Sequence, residues 1–398
     1  YFYLLAVDEK AALLMAACPE GALQHIRGGT HKQVLRLCEY LEEQKIEMLL
    51  LTKYYDPEKT YPEFEKYHPV SLYDTFEEFQ KHRSLFDKIR NTRRFLKMVP
   101  DDYEIVNIHD GGLQWITCLA TFRKNTKVVW QINDLPSCFR VGVGKRGKTR
   151  KSDTAQCRFN RWIASRVDAI TVNVTKNKER VESCMGKAAD VFYCGVDANG
   201  ALKKHEYHNE MKNQVKLLST GVFFSYRNYE TLVLVVDYLR SKGYKVKLDI
   251  IGSTDKDKDY ANKILALIKE KKLENDIKIW GQVDEITYNT LYNQADIFAF
   301  INIDQSWGLT VFEAMSAGIP TLVSNSVGAI ELLHNGEDAI IVEPKDVREI
   351  ANQMIALMED GEYYNRISEK AYNAVKDYTW EKLYSSKIVK LFDELLRK

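Results

Sequence analysis

At 398 residues and 46.1 kDa the chain exceeds one ordinary hydrophobic core, so two domains of about 180 residues are expected. Hydrophobic residues at 45% and charged residues at 28% fit a water-soluble globular protein, and a net charge of +1 argues against a polyanionic partner for the chain as a whole. The seven cysteines are odd in number, widely spaced and without a C-x-x-C pair, which speaks against a disulfide framework or a zinc site and for a reducing, cytoplasmic compartment.

No apolar run approaches the roughly 18 residues that span a bilayer, and the opening YFYLLAVDEK lacks the basic n-region of a signal peptide. Apolar runs alternate with amphipathic stretches from there on, the pattern of parallel sheets covered by helices. Strands are expected near 11–17, 46–52, 104–108, 127–132, 169–173 and 190–193. Between 30 and 44, Val34, Leu37, Cys38 and Leu41 recur at helical spacing, so one face of that helix docks on the sheet. Gly28 and Gly29 precede it and permit a turn whose amides can face phosphate or sugar. His109 ends one strand, where an imidazole that titrates near neutrality can donate to hydroxyls or phosphate. A bland alternative makes it a satisfied histidine partnered by Asp110. Asn133 and Asp134 end the next strand, as acceptor contacts or as ordinary loop residues.

Residues 140–166 concentrate charge, with nine Lys or Arg and one Asp. Arg140, Lys145, Arg146, Lys148, Arg150, Lys151 and Arg158, interleaved with Phe139, Phe159 and Trp162, suit an anionic membrane surface or an anionic acceptor. A solvated loop is the plain alternative, and no nucleic-acid module accompanies the charge.

The polar stretch 199–213 has linker composition, after which the strand pattern restarts at 215–220 and continues near 247–251, 277–280, 296–301, 320–323 and 339–342. Gly221 and Arg227 follow the first of these strands, and Arg227 can clamp phosphate in a bidentate way. Asp255, Asp257 and Asp259 mimic a metal-binding D-x-D, but their Lys–Asp alternation at a helix start reads as solvated, and no metal site is assigned.

The densest block is 305–320, QSWGLTVFEAMSAGIP. Gly308 allows close backbone approach, 309–317 has helix composition, Gly318 stands where a C-terminal cap belongs, and Pro320 forbids continuation. The free N–H groups and dipole at such a helix start favour an anion, and Glu313 inside it can accept from a sugar diol. Phosphate and ribose together suggest a nucleotide.

This block resembles the Glu-x7-Glu signature of retaining glycosyltransferases of the GT-B fold, family four. Gly308, Leu309, Glu313, Ala314, Met315, Gly318 and Pro320 fit, while Gln305 replaces the first Glu and Trp307 a Phe. The Gly28–Gly29 loop is similar to the family's first-domain loop, with His31 in place of Glu. In the 221–227 loop Val222 stands for one of two expected cations and Arg227 for the other. The resemblance implies an α/β GT-B protein of two Rossmann-like, doubly wound domains facing a central cleft. It sets the domains at 1–197, completed by a C-terminal helix 380–398, and at 198–379, and places the acceptor on the first and the donor on the second.

A nucleotide-diphosphate sugar would be the co-substrate, with no metal required, and a glycan or lipid-linked molecule the acceptor. In that reading Glu313 holds the ribose, Gly308 and Leu309 amides with Arg227 hold the diphosphate, and Gln305 and His109 orient the sugar. Gly28, Gly29, Gly221 and Trp307 complete the donor contacts. The location implied is cytoplasmic, with a peripheral place on the inner face of the cell membrane for the basic segment. Two rivals share the architecture: a nucleotide-sugar 2-epimerase, and a binding protein whose catalytic site has decayed.

Overall fold

The computed structural model describes residues 12–15, 29–52, 54–57, 61–75, 77–78, 89–90, 93–94, 97–98, 103–109, 126–133, 155–197 and 202–397. The chain divides into two compact units, Tyr1–Gly195 with Trp380–Lys398, and Val196–Thr379.

Among the described residues of the first unit, seven parallel strands lie in the order β3-β2-β1-β4-β5-β6-β7. They are β1 Ala12–Met15, β2 Met48–Thr52, β3 Val70–Ser71, β4 Ile105–His109, β5 Lys127–Ile132, β6 Ala169–Val172 and β7 Asp190–Val191. The central strands are buried on both faces, which is why they read as unbroken apolar runs. The two-residue edge strand β3 is not among the expected strands.

On one face Val106, Ile108, Val128, Trp130, Ile132, Ile170 and Val172 form the core with Ile163 and Val181 of the covering helices. The intervening positions carry Asn107, His109, Gln131 and Thr171, all fully buried, so the opposite face holds a polar row inside an apolar sheet. The helix Gly29–Glu43 buries Val34, Leu35, Leu37, Cys38 and Leu41. The C-terminal segment is helical from Trp380 to Leu396, with a π-helical turn at Glu381–Ser385 leading into Ser386–Leu396, and the Ser385 hydroxyl donates to the Arg36 carbonyl at 3.3 Å.

The second unit has six parallel strands in the order β10-β9-β8-β11-β12-β13. These are β8 Gln214–Thr220, β9 Lys245–Ile251, β10 Ile277–Gly281, β11 Ile297–Phe300, β12 Thr321–Ser324 and β13 Ile340–Val342. In chain sequence both sheets follow the order 3-2-1-4-5-6, which reverses direction beside the first strand and opens a crevice at its carboxyl end. The expected linker is less free than its composition suggests. From residue 202 on it packs on the second unit, where Met211 is buried, His205 N–H donates to the Ala317 carbonyl at 2.9 Å and Ser368 donates to the His205 carbonyl at 2.9 Å.

Candidate nucleotide-sugar site

In the second unit the reversal point lies between β8 and β11, and the loops that leave these two strands carry the residues of interest. The β8 loop begins with Gly221 at φ +152, where its N–H donates to the Ile251 carbonyl at 2.8 Å. A Cβ here would lie 2.5 Å from the Arg227 guanidinium carbon, so only glycine lets the arginine fold back over the strand end. The neighbouring Gly252, at φ +155, is tighter still, since a Cβ would sit 2.0 Å from the Gly221 carbonyl oxygen. The loop closes on Asn228 in the left-handed conformation, φ +57. Its side-chain amide donates to the Ile301 carbonyl at 3.1 Å and the Pro344 carbonyl at 2.6 Å, tying the β8 loop to the segments that follow β11 and β13.

Arg227 and Gln305 meet directly, with Nη1 donating to Oε1 at 3.0 Å. In one orientation of its amide Asn302 donates to the same Gln305 oxygen at 2.7 Å; turned over, it gives up that bond, its Oδ1 accepts from Arg227 Nη1 at 2.9 Å and its nitrogen donates to the Arg227 carbonyl at 3.2 Å. The guanidinium also lies 5.2 Å from the Tyr226 ring centre and 5.9 Å from that of Phe300. Its Nε is buried without a hydrogen-bond partner.

The helix Leu309–Ser316 starts at Gly308 with no side-chain cap, so its first N–H groups keep their capacity to bind an anion. A Cβ on Gly308 would press against Phe300 at 3.0 Å. The helix stops as its sequence requires. Gly318, φ +65, donates to the Met315 carbonyl at 2.8 Å and Ile319 to the Ala314 carbonyl at 3.1 Å, the paired bonds of a Schellman cap. Glu313 is half-buried and accepts from the Tyr288 hydroxyl at 2.7 Å, which itself lies 2.9 Å from the Tyr292 hydroxyl. Burial first, and then the nearby Glu313 charge, push the Tyr288 phenol well above its ordinary pKa, so it stays a donor to the carboxylate. Trp307 is 5% exposed and its ring stacks on Phe312 at 5.2 Å, a packing contact.

Sequence reading singled out Gly221, Arg227, Gln305, Gly308, Leu309 and Glu313, and the structure gathers them around the ends of β8 and β11. It did not find Asn302, Asn228 or Tyr288. A polar residue just beyond an apolar strand, as in FINIDQ, and tyrosines four apart on one helix face are the signals that were there to use. Asp257 caps the helix Lys258–Glu270 by accepting from Tyr260 N–H at 3.2 Å, which accounts for it without a metal. Glu230 holds Tyr260 at 2.5 Å and Lys263 at 2.8 Å, a structural role.

In the first unit His109 departs from expectation. It has no exposed surface, and burial pushes its pKa down to about 3, so it does not titrate near neutrality. Asn107 Nδ2 lies 3.1 Å from His109 Nε2, while Nδ1 has no partner among the described residues. His109 pairs in register with Gln131, and Gln131 with Thr171, whose hydroxyl donates to Gln131 at 2.5 Å. Gln131 in turn donates to the buried Asn133 at 3.0 Å. Gly29 begins its helix, and His31 beside it is neutral, its pKa lowered by burial to about 4.

Gly28, Asp110, Asp134, Phe139, Arg140, Lys145, Arg146, Lys148, Arg150 and Lys151 lie outside the described residues. Of the basic segment the structure describes Arg158, which is exposed, and Trp162, 38% exposed, whose ring stacks on Phe159 at 5.8 Å and lies 4.6 Å from the Arg166 guanidinium. Arg161 donates to the Cys184 carbonyl at 2.6 Å, so part of this charge serves local packing. Among the described residues no helix is long and apolar enough to cross a membrane.

Residues 27–199 match the model of Glycosyltransferase Family 4, and residues 202–374 that of Glycosyl transferases group 1. A glycosyltransferase of Haemophilus influenzae is 26% identical over 42% of this chain and 46% of its own length. The capsular polysaccharide biosynthesis glycosyltransferase CapM of Staphylococcus aureus is 24% identical over 54% of this chain and 57% of its own. The chain thus spans about half the length of these curated relatives. The solved structure of Anabaena Alr3699/HepE in complex with UDP and glucose superposes with a TM-score of 0.74 at 15% identity, covering 97% of this chain and 100% of that one. The fold is GT-B.

Proposed function

The chain belongs to the group 1, family 4 glycosyltransferases, and from that premise we propose that it moves a sugar from a nucleotide-diphosphate sugar to a glycan or lipid-linked acceptor with retention of anomeric configuration. One observation carries the reading: a half-buried Arg227 guanidinium, held by an amide rather than a carboxylate, stands at the strand-reversal point near an uncapped helix start. A cation without a counter-ion among the described residues, in a partly desolvated loop, is stabilised by an arriving anion, and a diphosphate has the charge and shape to meet it.

In this reading the second unit binds the donor. Glu313, fixed by Tyr288, accepts hydrogen bonds from the ribose, and Arg227 with the Gly308 and Leu309 amides stabilises the diphosphate as it leaves. The bond from the anomeric carbon to the diphosphate oxygen breaks, and the oxygen keeps the electron pair. The acceptor hydroxyl bonds to that carbon on the same face and passes its proton to the departing phosphate oxygen. Gln305 orients the sugar hydroxyls without charge. No metal is needed, because the arginine and the helix start supply the positive potential. The first unit is the acceptor side, with neutral His109 and Asn133 at its strand ends. CapM acts in capsular polysaccharide biosynthesis, which supports a polysaccharide or lipid-linked acceptor, and the basic 140–166 segment supports a peripheral membrane location.

The test is a thermal-shift screen against nucleoside diphosphates and their sugars, without metal, on the wild type and on Glu313→Ala. A ligand that binds only the folded state at 100 times its Kd adds about 2.7 kcal/mol, a shift of a few degrees for units of this size. The expected outcome is a shift with one nucleotide family that Glu313→Ala abolishes. A shift that Glu313→Ala leaves intact removes the central residue of the reading. No shift with any nucleotide favours the decayed-site alternative, and conversion of the free nucleotide sugar without acceptor favours the epimerase.

A further inference from the structure

Among the described residues, every group that touches the Arg227 guanidinium in the donor-side loop is neutral. Gln305 Oε1 accepts from it at 3.0 Å, the Asn302 amide either donates to that oxygen at 2.7 Å or, turned over, accepts from Nη1 at 2.9 Å, and two aromatic rings flank the guanidinium. Among the described residues Arg227 makes no ion pair with a carboxylate, and its Nε is buried and unpartnered. Ordinary economy would place an acid here, since a half-buried cation is costly without an opposite charge. Changing one atom, the Gln305 amide nitrogen to oxygen, would supply it at hydrogen-bond distance.

We propose that Gln305 and Asn302 are positioning residues that form a neutral bracket around Arg227, aiming the guanidinium while leaving its charge uncancelled for a diphosphate. A carboxylate at either position would aim the same group equally well but would pair with it. The incoming phosphate would then have to break an internal ion pair and bear repulsion from the acid. The glutamine at 305 is therefore a working part of the site and not a degraded acid. Restoring the acid weakens donor binding instead of repairing it. This inference rests on the donor-site reading above.

The experiment is calorimetric titration of the full chain, without metal, with uridine, guanosine and adenosine diphosphates and with the matching nucleosides as uncharged probes. Wild type, Gln305→Glu, Gln305→Ala and Asn302→Asp are compared at one fixed salt concentration. Gln305→Glu is expected to weaken diphosphate binding at least tenfold, and Gln305→Ala by about threefold, with nucleoside binding within twofold of wild type in both. That ordering follows from charge and not from shape, since alanine removes the bracket while glutamate only charges it. Equal or tighter diphosphate binding by Gln305→Glu overturns the proposal, and so does an equal loss in the alanine and glutamate variants. Should Gln305→Glu fail to fold, Asn302→Asp carries the same comparison from the other side of the guanidinium. A wild type that binds none of the diphosphates refutes the donor-site reading itself, a result distinct from either.

Discussion

The same strand order produces two quite different polar sites at the carboxyl ends of its strands. In the second unit the polar groups sit on loops and on the helix that follows, are half-buried and carry charge, with Arg227 donating to the Gln305 amide and Glu313 accepting from the Tyr288 hydroxyl. In the first unit they sit within the strands, are fully buried and neutral, as a row from His109 through Gln131 to Thr171. The difference shows how depth selects chemistry on one architecture. A group on a loop keeps enough water to stay ionised, whereas a group inside the sheet must give up its proton or its charge and bond to its neighbours.

The comparison breaks most sharply at Gly252. Its alanine variant places a Cβ 2.0 Å from the Gly221 oxygen at a φ of +155, so the β8 and β9 loops must separate. A loss of about 3 kcal/mol or more is expected, together with loss of the nucleotide-dependent thermal shift, both read by calorimetric melting. Retention of both would mean that the loops of the second unit are not the rigid frame described.

His109 sharpens the other side. Its pKa is near 3 when folded and about 6.5 when unfolded, so the unfolded state binds the proton more tightly. The stability that this group contributes is whole above about pH 6.5 and falls as pH drops toward 3, by about 1.4 kcal/mol per pH unit below pH 6. His31, lowered to about 4, adds to the same slope over a narrower window. His109→Gln is expected to flatten the acid limb of a melting-temperature profile measured from pH 7 to 5. An unchanged profile would show that the imidazole reaches solvent.

The smallest effect belongs to surface charge. Lys263 pairs with Glu230 at 2.8 Å with its own side chain 65% exposed, so Lys263→Ala is expected to cost less than about 1 kcal/mol by denaturant melting and to leave nucleotide binding unchanged. A larger cost would mean that charge on the helices matters as much as charge at the strand ends.

Much of this was legible in the sequence. All twelve expected strands begin and end within a few residues of observed ones, because buried parallel strands write themselves as apolar runs bounded by glycine and polar residues. The Leu309–Ser316 helix was equally clear, since its glycine start and its Gly318–Ile319–Pro320 stop are local devices. The pairing of Arg227 with Gln305 was not, because 78 residues separate them and no local pattern joins two loops. Read along the chain, Val222 and Gln305 were two separate departures from a motif. Read in space, Gln305 is the ligand of the remaining arginine.

Periodicity and turn chemistry were therefore enough to write down the fold class, the strand ends that matter and the residue types available there, because these follow from contacts within a few residues of each position. Burial was beyond them. Whether His109 carries a proton, whether Trp307 faces a ligand or the core, and whether Arg227 meets an acid or an amide all depend on which distant segments cover each group, and the free energy of a charge or a ring is set by that covering.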